Sequence, residues 1–180
     1  MKRNELEGLL PDIFRRTARP GSVLATLLGV MEAQHAPSEE ALATLDSFFD
    51  PYRAPDDFVP YLAQWVDLLR FLDEAPGGAD ADLRTFGGGS GRLRELIASA
   101  AYLSRWRGTS HGLVLFLETA TGVPGFGIEE DVPGDDGRSQ PFHLRVVAPA
   151  AAQAQEMLIR QIVQMEKPAY VTFELVFRTN

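Results

Sequence analysis

The sequence contains no cysteine, which excludes disulfides, thiolate metal sites and thiol nucleophiles and leaves stability to packing or to partners. Basic charge is also scarce. Seventeen Lys and Arg stand against twenty-five Asp and Glu, a formal net charge of −8 with a pI near 4.9. A polyphosphate backbone would meet net repulsion, so nucleic acid is a poor partner for this chain. No apolar run approaches the roughly 20 residues that span a bilayer, and no membrane insertion is expected. Residues 1–10, MKRNELEGLL, carry basic side chains but neither a sustained apolar stretch nor an Ala-x-Ala site. They do not read as a signal peptide, so the expected place of synthesis is the cytoplasm. Internal repeats are missing as well. What the chain does have is 45% hydrophobic content over 180 residues, enough to bury a core as one domain or as two small lobes.

The hydrophobic spacing predicts a mainly helical first part. Leu24, Leu27, Leu28 and Met31 recur at three and four residues, which predicts a helix from Ser22 to about His35 with one buried stripe. Pro37 and Ser38 then read as a break and an N-cap, with Ala41, Leu42, Leu45, Phe48 and Phe49 as the stripe of a second helix that stops at Asp50-Pro51. Prolines 51, 55 and 60 bracket a tight connection into an apolar helix bearing Leu62, Trp65, Val66 and Leu69. Residues 76–91 turn rich in Gly and Asp, which predicts an exposed, mobile loop. Leu93, Leu96, Ile97, Ala100 and Leu103 form the next helical face, and Leu113, Phe116, Leu117 and Ala120 the one after it, ended by Gly122 and Pro124.

Between those last two helices lies Arg107-Gly108-Thr109, with almost no slack. Gly108 can adopt positive φ, Thr109 or Ser110 can cap the second helix, and Arg107 can donate several hydrogen bonds to carbonyls or a carboxylate. The spacing predicts a fixed corner between two helices.

After Gly122 the period changes. Phe142, Leu144 and Val146 alternate with His143, Arg145 and Val147, and Val171, Phe173, Leu175 and Phe177 with Thr172, Glu174 and Val176, which is strand periodicity. Between them a helix is predicted from about Ala150 to Glu166, with Ala151, Ala154, Leu158, Ile162 and Met165 inward, stopped by Lys167-Pro168. A strand-helix-strand unit of this length favours parallel strands with a right-handed crossover. Phe126 to Glu130 supplies a possible antiparallel edge strand. The expected fold is therefore α+β, with a helical lobe over residues 1–122 and a small α/β lobe over residues 123–180.

No constellation of catalytic residues emerges. GGGSG before Arg92 lacks the Gly-Lys-Ser/Thr of a phosphate loop and has no preceding strand. His35, His111 and His143 are isolated from carboxylates at ligand spacing, and the acidic turn around Glu129 to Asp136 lacks the alternation of a calcium loop. The serines occur in no nucleophile elbow. Trp65 and Trp106 read as core anchors. No cofactor is expected.

Four segments, in order, carry a resemblance. LLPDIFRR at Leu9 to Arg16, FDPYRAPDDFVPYLAQW at Phe49 to Trp65, RWRGTSHGL at Arg105 to Leu113 and EKPAYVTFEL at Glu166 to Leu175 resemble motifs of the phage tail protein I-like family. Its members are baseplate wedge components of contractile tails and related injection systems. Tyr61 stands where that family commonly has Trp, and the loop at 76–91 is longer than its usual connection. The resemblance implies a non-enzymatic wedge subunit that is made in the cytoplasm and built into a baseplate. It implies a wedge of one such chain with two copies of a larger baseplate J-like protein, and six wedges around a central hub. It also implies structural or interface roles for Asp50, Pro51, Pro55, Trp65, Arg105, Arg107, Gly108, Thr109, Gly112, Lys167 and Pro168. Exposed apolar surface is then expected on the isolated chain. Two other classes stay open on the residues alone: an acidic adaptor that binds one protein or peptide, and a small enzyme with its site beside the glycine loop.

Overall fold

A computed structural model of the chain describes residues 3–74, 84–134 and 138–178. It divides into two compact units, Met1–Phe49 and Asp50–Asn180.

The first unit is helical: α1 (Arg3–Gly8), α2 (Asp12–Arg15), α3 (Val23–Ala43) and α4 (Leu45–Phe48). Ser22 caps α3, its hydroxyl accepting from the Ala25 amide at 3.2 Å. The expected break at Pro37 does not occur, since α3 runs through it as one helix of 21 residues. A proline costs an interior helix roughly 3 kcal/mol, and α3 carries that local penalty without breaking. The expected buried stripes also fail. Of Leu24, Leu27, Leu28 and Met31, Leu28 alone is buried, and none of Ala41, Leu42, Leu45, Phe48 and Phe49 is. Leu6, Ala25 and Leu28 are the buried apolar residues described in this unit.

The second unit holds α5 (Val59–Trp65), the hairpin β1 (Leu72–Glu74) and β2 (Arg84–Phe86), α6 (Ser90–Arg105), α7 (Ser110–Thr121), β3 (Gly127–Glu129), β4 (His143–Ala148), α8 (Glu156–Glu166) and β5 (Thr172–Phe177). The helix predicted to carry Leu62 through Leu69 is shorter than expected. It stops at Trp65, Asp67 turns the chain at φ +61°, and Leu69–Phe71 form a 3-10 turn. Within the predicted loop at 76–91, residues 76–83 lie outside the described residues. Residues 84–86 are a strand paired antiparallel to β1, Leu72 opposite Phe86. Burial of both these side chains, 6% exposed each, supplies the apolar contact that a reading of glycine content could not register.

The two faces predicted on α6 and α7 are the ones buried, from Leu93 to Leu103 and from Leu113 to Ala120. Gly122 ends α7 in the left-handed conformation at φ +72°. The sheet has the order β3-β4-β5, with β3 antiparallel and β5 parallel to the central β4. Leu144, Val146 and Ala148 face the core in alternation. Phe142 does not continue that inward set; it sits at φ +59° and is 66% exposed. The crossover helix starts with a 3-10 segment, Ala150–Gln155, which shifts its phase. Ala152, Leu158, Ile159, Ile162 and Val163 point inward, while Ala151, Ala154 and Met165 do not. One hydrophobic cluster links Ala54 through Val163.

Candidate functional site

The corner forms as its residue types require. Gly108 has φ +77°, and the Thr109 hydroxyl accepts from the Gly112 amide at 3.0 Å while donating to the Trp106 carbonyl at 2.7 Å. That carbonyl also accepts from the Thr109 amide at 3.2 Å. Gly112 is buried against it: a Cβ there would stand 2.0 Å from the Trp106 oxygen. Two glycines thus serve the corner differently, Gly108 through its φ and Gly112 through close approach.

Arg107 leaves the corner toward two carboxylates, reaching Asp67 Oδ2 at 3.2 Å and Glu166 Oε2 at 3.7 Å. Arg70 meets the same pair, Asp67 at 3.3 Å and Glu166 Oε1 at 2.5 Å. The four side chains form an alternating ring of charge. Glu166 is its most buried member at 8% exposed, and the two arginines supply the opposite charge that a carboxylate so little exposed requires. Arg70 also lies 4.9 Å from the Phe71 ring centroid, and its Nε is buried without a hydrogen-bond partner among the described residues. The ring joins the end of α5, the corner and the last residue of α8.

Immediately after Glu166, Lys167 takes an extended conformation and ends α8, with its amide still donating to Val163 at 3.0 Å. Pro168 accepts from Val171 at 3.0 Å, which turns the chain into β5. The corner and this helix stop line one cavity of about 330 Å³, floored by Leu113, Phe116 and Leu144. A second cavity of about 340 Å³ is lined by Trp65 and Asp67, and shares Leu103, Arg107, Phe116 and Glu166 with the first. The fold therefore brings Arg107, Gly108, Thr109, Gly112, Lys167 and Pro168 around one cavity, with Trp65 at its neighbour. Arg105, the last residue of α6, is exposed.

Asp50, Pro51 and Pro55 belong to a separate construction near the other end of α6. The Asp50 carboxylate accepts from the Tyr52 amide at 2.9 Å, and its carbonyl accepts from Ala54 at 2.8 Å. Pro55 precedes the 3-10 turn Asp56–Phe58 and accepts from Phe58 at 2.9 Å. Arg94 of α6 fastens this loop, donating to the Pro51 carbonyl, to the Ala54 carbonyl at 2.9 Å and to Asp56 Oδ1 at 2.7 Å. The Arg94 hydrogen bond and charge hold the Asp56 carboxyl below its ordinary value.

Trp65 and Trp106 are not core anchors: they are 62% and 40% exposed. Trp65 packs edge-on to Phe58 at 6.1 Å, and Trp106 edge-on to His111 at 5.0 Å. His143 Nδ1 lies 2.8 Å from the Thr172 hydroxyl. Among the described residues no group of His, Asp and Glu is arranged to hold a metal ion; of the acidic turn, residues 135–137 lie outside the described residues. The sequence reading missed Arg94, Arg70, Asp67 and the role of Glu166. Apart from the Asp67–Arg70 pair, three residues apart, their contacts join residues 38 to 96 positions apart, so no local pattern marks the network. The one available signal was an arginine beside the apolar stripe of α6.

A family model described as Phage tail protein (Tail_P2_I) matches residues 22–170. No curated protein matches the chain.

Proposed function

The chain belongs to the Tail_P2_I phage tail protein family, and from that premise we propose that this structural tail protein is a baseplate wedge subunit docking with larger J-like wedge proteins. The observation that carries the reading is the surface of α3. Val23, Leu27 and Val30 are 88%, 54% and 49% exposed, and they share one side of the helix at spacings of four and three. Glu32 and Glu39 fall on roughly the opposite side at about 100° per residue. An uncharged apolar stripe on so long a helix is the surface that a helical bundle covers.

In this reading α3 supplies one helix of a bundle with partner helices. The second unit is a piece whose own geometry is fixed from within. Arg107, Gly108, Thr109 and Gly112 set the angle between α6 and α7, Lys167 and Pro168 fix where α8 stops, and Asp50, Pro51 and Pro55 shape the loop that Arg94 fastens. Exposed Trp65 and Arg105 are available to a neighbouring chain. The work is mechanical: contraction of the sheath accompanies a rearrangement of the baseplate, and a wedge subunit holds the interface whose opening is transmitted. The chain is made in the cytoplasm and assembled into a phage tail or tail-like particle. Membership of a structural tail family argues against a catalytic role.

The test is co-expression with the J-like protein encoded in the same tail cluster, followed by native mass measurement. A complex with two J-like copies per chain is expected. A well-behaved monomer that ignores the J-like protein would refute the wedge and favour an acidic adaptor.

A further inference from the structure

We propose that the 330 Å³ cavity beside the corner receives an apolar side chain from a short segment of a partner tail protein, with a basic residue toward Glu130 and an acidic residue toward Lys167. The inference rests on the wedge reading and names the chemistry of one contact within it.

The floor of the cavity is apolar, with Leu113, Phe116 and Leu144 8%, 5% and 8% exposed. Its volume is at the lower end of the roughly 300–1,000 Å³ of small-molecule sites, suited to a side-chain anchor. At the rim, Phe142 and Tyr170 meet edge to face with centroids 5.3 Å apart, 66% and 70% exposed. Phe142 is the informative one. In ordinary strand geometry it would continue the inward alternation of Leu144, Val146 and Ala148, yet φ +59° turns it to solvent. Positive φ is unfavourable for a bulky side chain and collects at ligand clamps. Thr172 holds it there, its amide and hydroxyl donating to the Phe142 carbonyl at 2.9 and 3.3 Å. The backbone thus keeps an exposed aromatic pair beside an apolar cavity, the arrangement of an interface anchor site.

Charge specifies the occupant. Glu130 and Lys167 both line the cavity, and among the described residues neither side chain has a hydrogen-bonding or ionic partner. Opposite charges on one cavity select a segment whose own charges run in the complementary order. A second copy of this chain is disfavoured, because each copy carries a net charge of −8.

The experiment places p-benzoylphenylalanine at position 170 in the chain co-expressed with the J-like protein, irradiates the complex and maps the cross-link. The expected cross-link falls on one J-like segment with an apolar residue between a base and an acid. A synthetic peptide of that segment should bind the wild-type chain about tenfold more tightly than the Glu130→Lys or Lys167→Glu variant. The double variant should prefer the peptide with its two charges exchanged. Intact complexes without a cross-link at 170, a cross-link to a second copy, or equal binding by the charge variants would each overturn the inference while leaving the wedge standing. If the wild-type chain forms no complex at all, the wedge reading fails and the inference falls with it.

Discussion

Alanine at Gly112 tests whether the corner is closed at contact distance. Its Cβ would lie 2.0 Å from the Trp106 oxygen, 2.7 Å from the carbonyl carbon and 3.0 Å from the Trp106 Cβ, so the first turn of α7 must retreat by more than an ångström. Overpacking of this kind costs about 1–3 kcal/mol. The retreat also strains the two hydrogen bonds from Thr109 to that carbonyl, each contributing about 1 kcal/mol. Against this stands a helix-propensity gain of about 1 kcal/mol for alanine over glycine. The net expectation is a loss of about 3 kcal/mol. Two other glycines calibrate it. Gly108→Ala meets no atom within 4 Å and carries only the penalty of φ +77°, about 1–2 kcal/mol. Gly91→Ala, also in open space but at the start of α6 without positive φ, should stabilise by about 0.5–1 kcal/mol. All three belong to one compact unit, so urea midpoints followed by circular dichroism can be compared directly. A Gly112→Ala protein within 0.5 kcal/mol of wild type, or less perturbed than Gly108→Ala, would refute the close approach.

Four further outcomes follow from the geometry. Glu166→Gln removes the carboxylate facing Arg70 and Arg107, which are 31% and 45% exposed; with solvent screening part of the residual repulsion, a loss of about 1–3 kcal/mol is expected by denaturation, and no loss would mean the ring of charge is incidental. Asp56 titrates below its ordinary value because of Arg94, so its contribution is fully present above the unfolded carboxylate pKa, about 4, and fades as pH falls through the lower folded value. The difference in melting temperature between wild type and Asp56→Asn should therefore shrink on acidification below about pH 4, and a constant difference from pH 6 to pH 2 would contradict the pairing. Both tryptophans are exposed, so acrylamide should quench nearly all emission of the isolated chain; a large shielded fraction would contradict their placement. Amides of α3 should exchange quickly in the isolated chain and become protected in the J-like complex, which deuterium uptake measured by mass spectrometry will decide.

What was legible in the sequence is what local chemistry dictates. The α6 and α7 faces, the caps at Thr109 and Gly122, the alternation in β4 and the parallel strand-helix-strand unit depend on neighbours within a few residues. The sequence reading failed where distant contacts override local preference. Phe86 orders a glycine-rich stretch because Leu72 lies opposite it. Pro37 looked like a break because a single-residue rule was applied, yet α3 continues through it. The 3-10 start of α8 rephased its inward face, and nothing in AAAQAQ announces that. The candidate site was half legible: the corner and the helix stop were each expected, but the contacts that tie them together, Arg107 to Glu166 and Arg70 to Glu166, join residues far apart in the chain, 96 positions in the case of Arg70 and Glu166. Arg94 was missed for the same reason.

The two units differ in where their stability originates, and that difference gives the wedge reading its physical content. The second unit buries a continuous cluster reaching from Ala54 to Val163 and has the corner, the charge ring and the Arg94 contacts to fix its geometry. It can be folded before assembly. The first unit has Leu6, Ala25 and Leu28 as its described buried apolar residues, too few to hold a helix of 21 residues by tertiary packing. Intrinsic propensity does not make up the difference, since isolated helices are marginal even in favourable sequences and this one contains Pro37. In the wedge reading, the partner that covers Val23, Leu27 and Val30 supplies the stabilisation that this helix lacks within its own unit. Binding that buries this stripe stabilises the helix by mass action, and the free energy of ordering is drawn from the interface. Such coupling makes a premature unit poorly adhesive to wrong partners, because a misfitting surface would have to order α3 without burying its full stripe. Protection of α3 equal in the free and assembled chain would show that the helix is already ordered, and would remove assembly as the source of its stability.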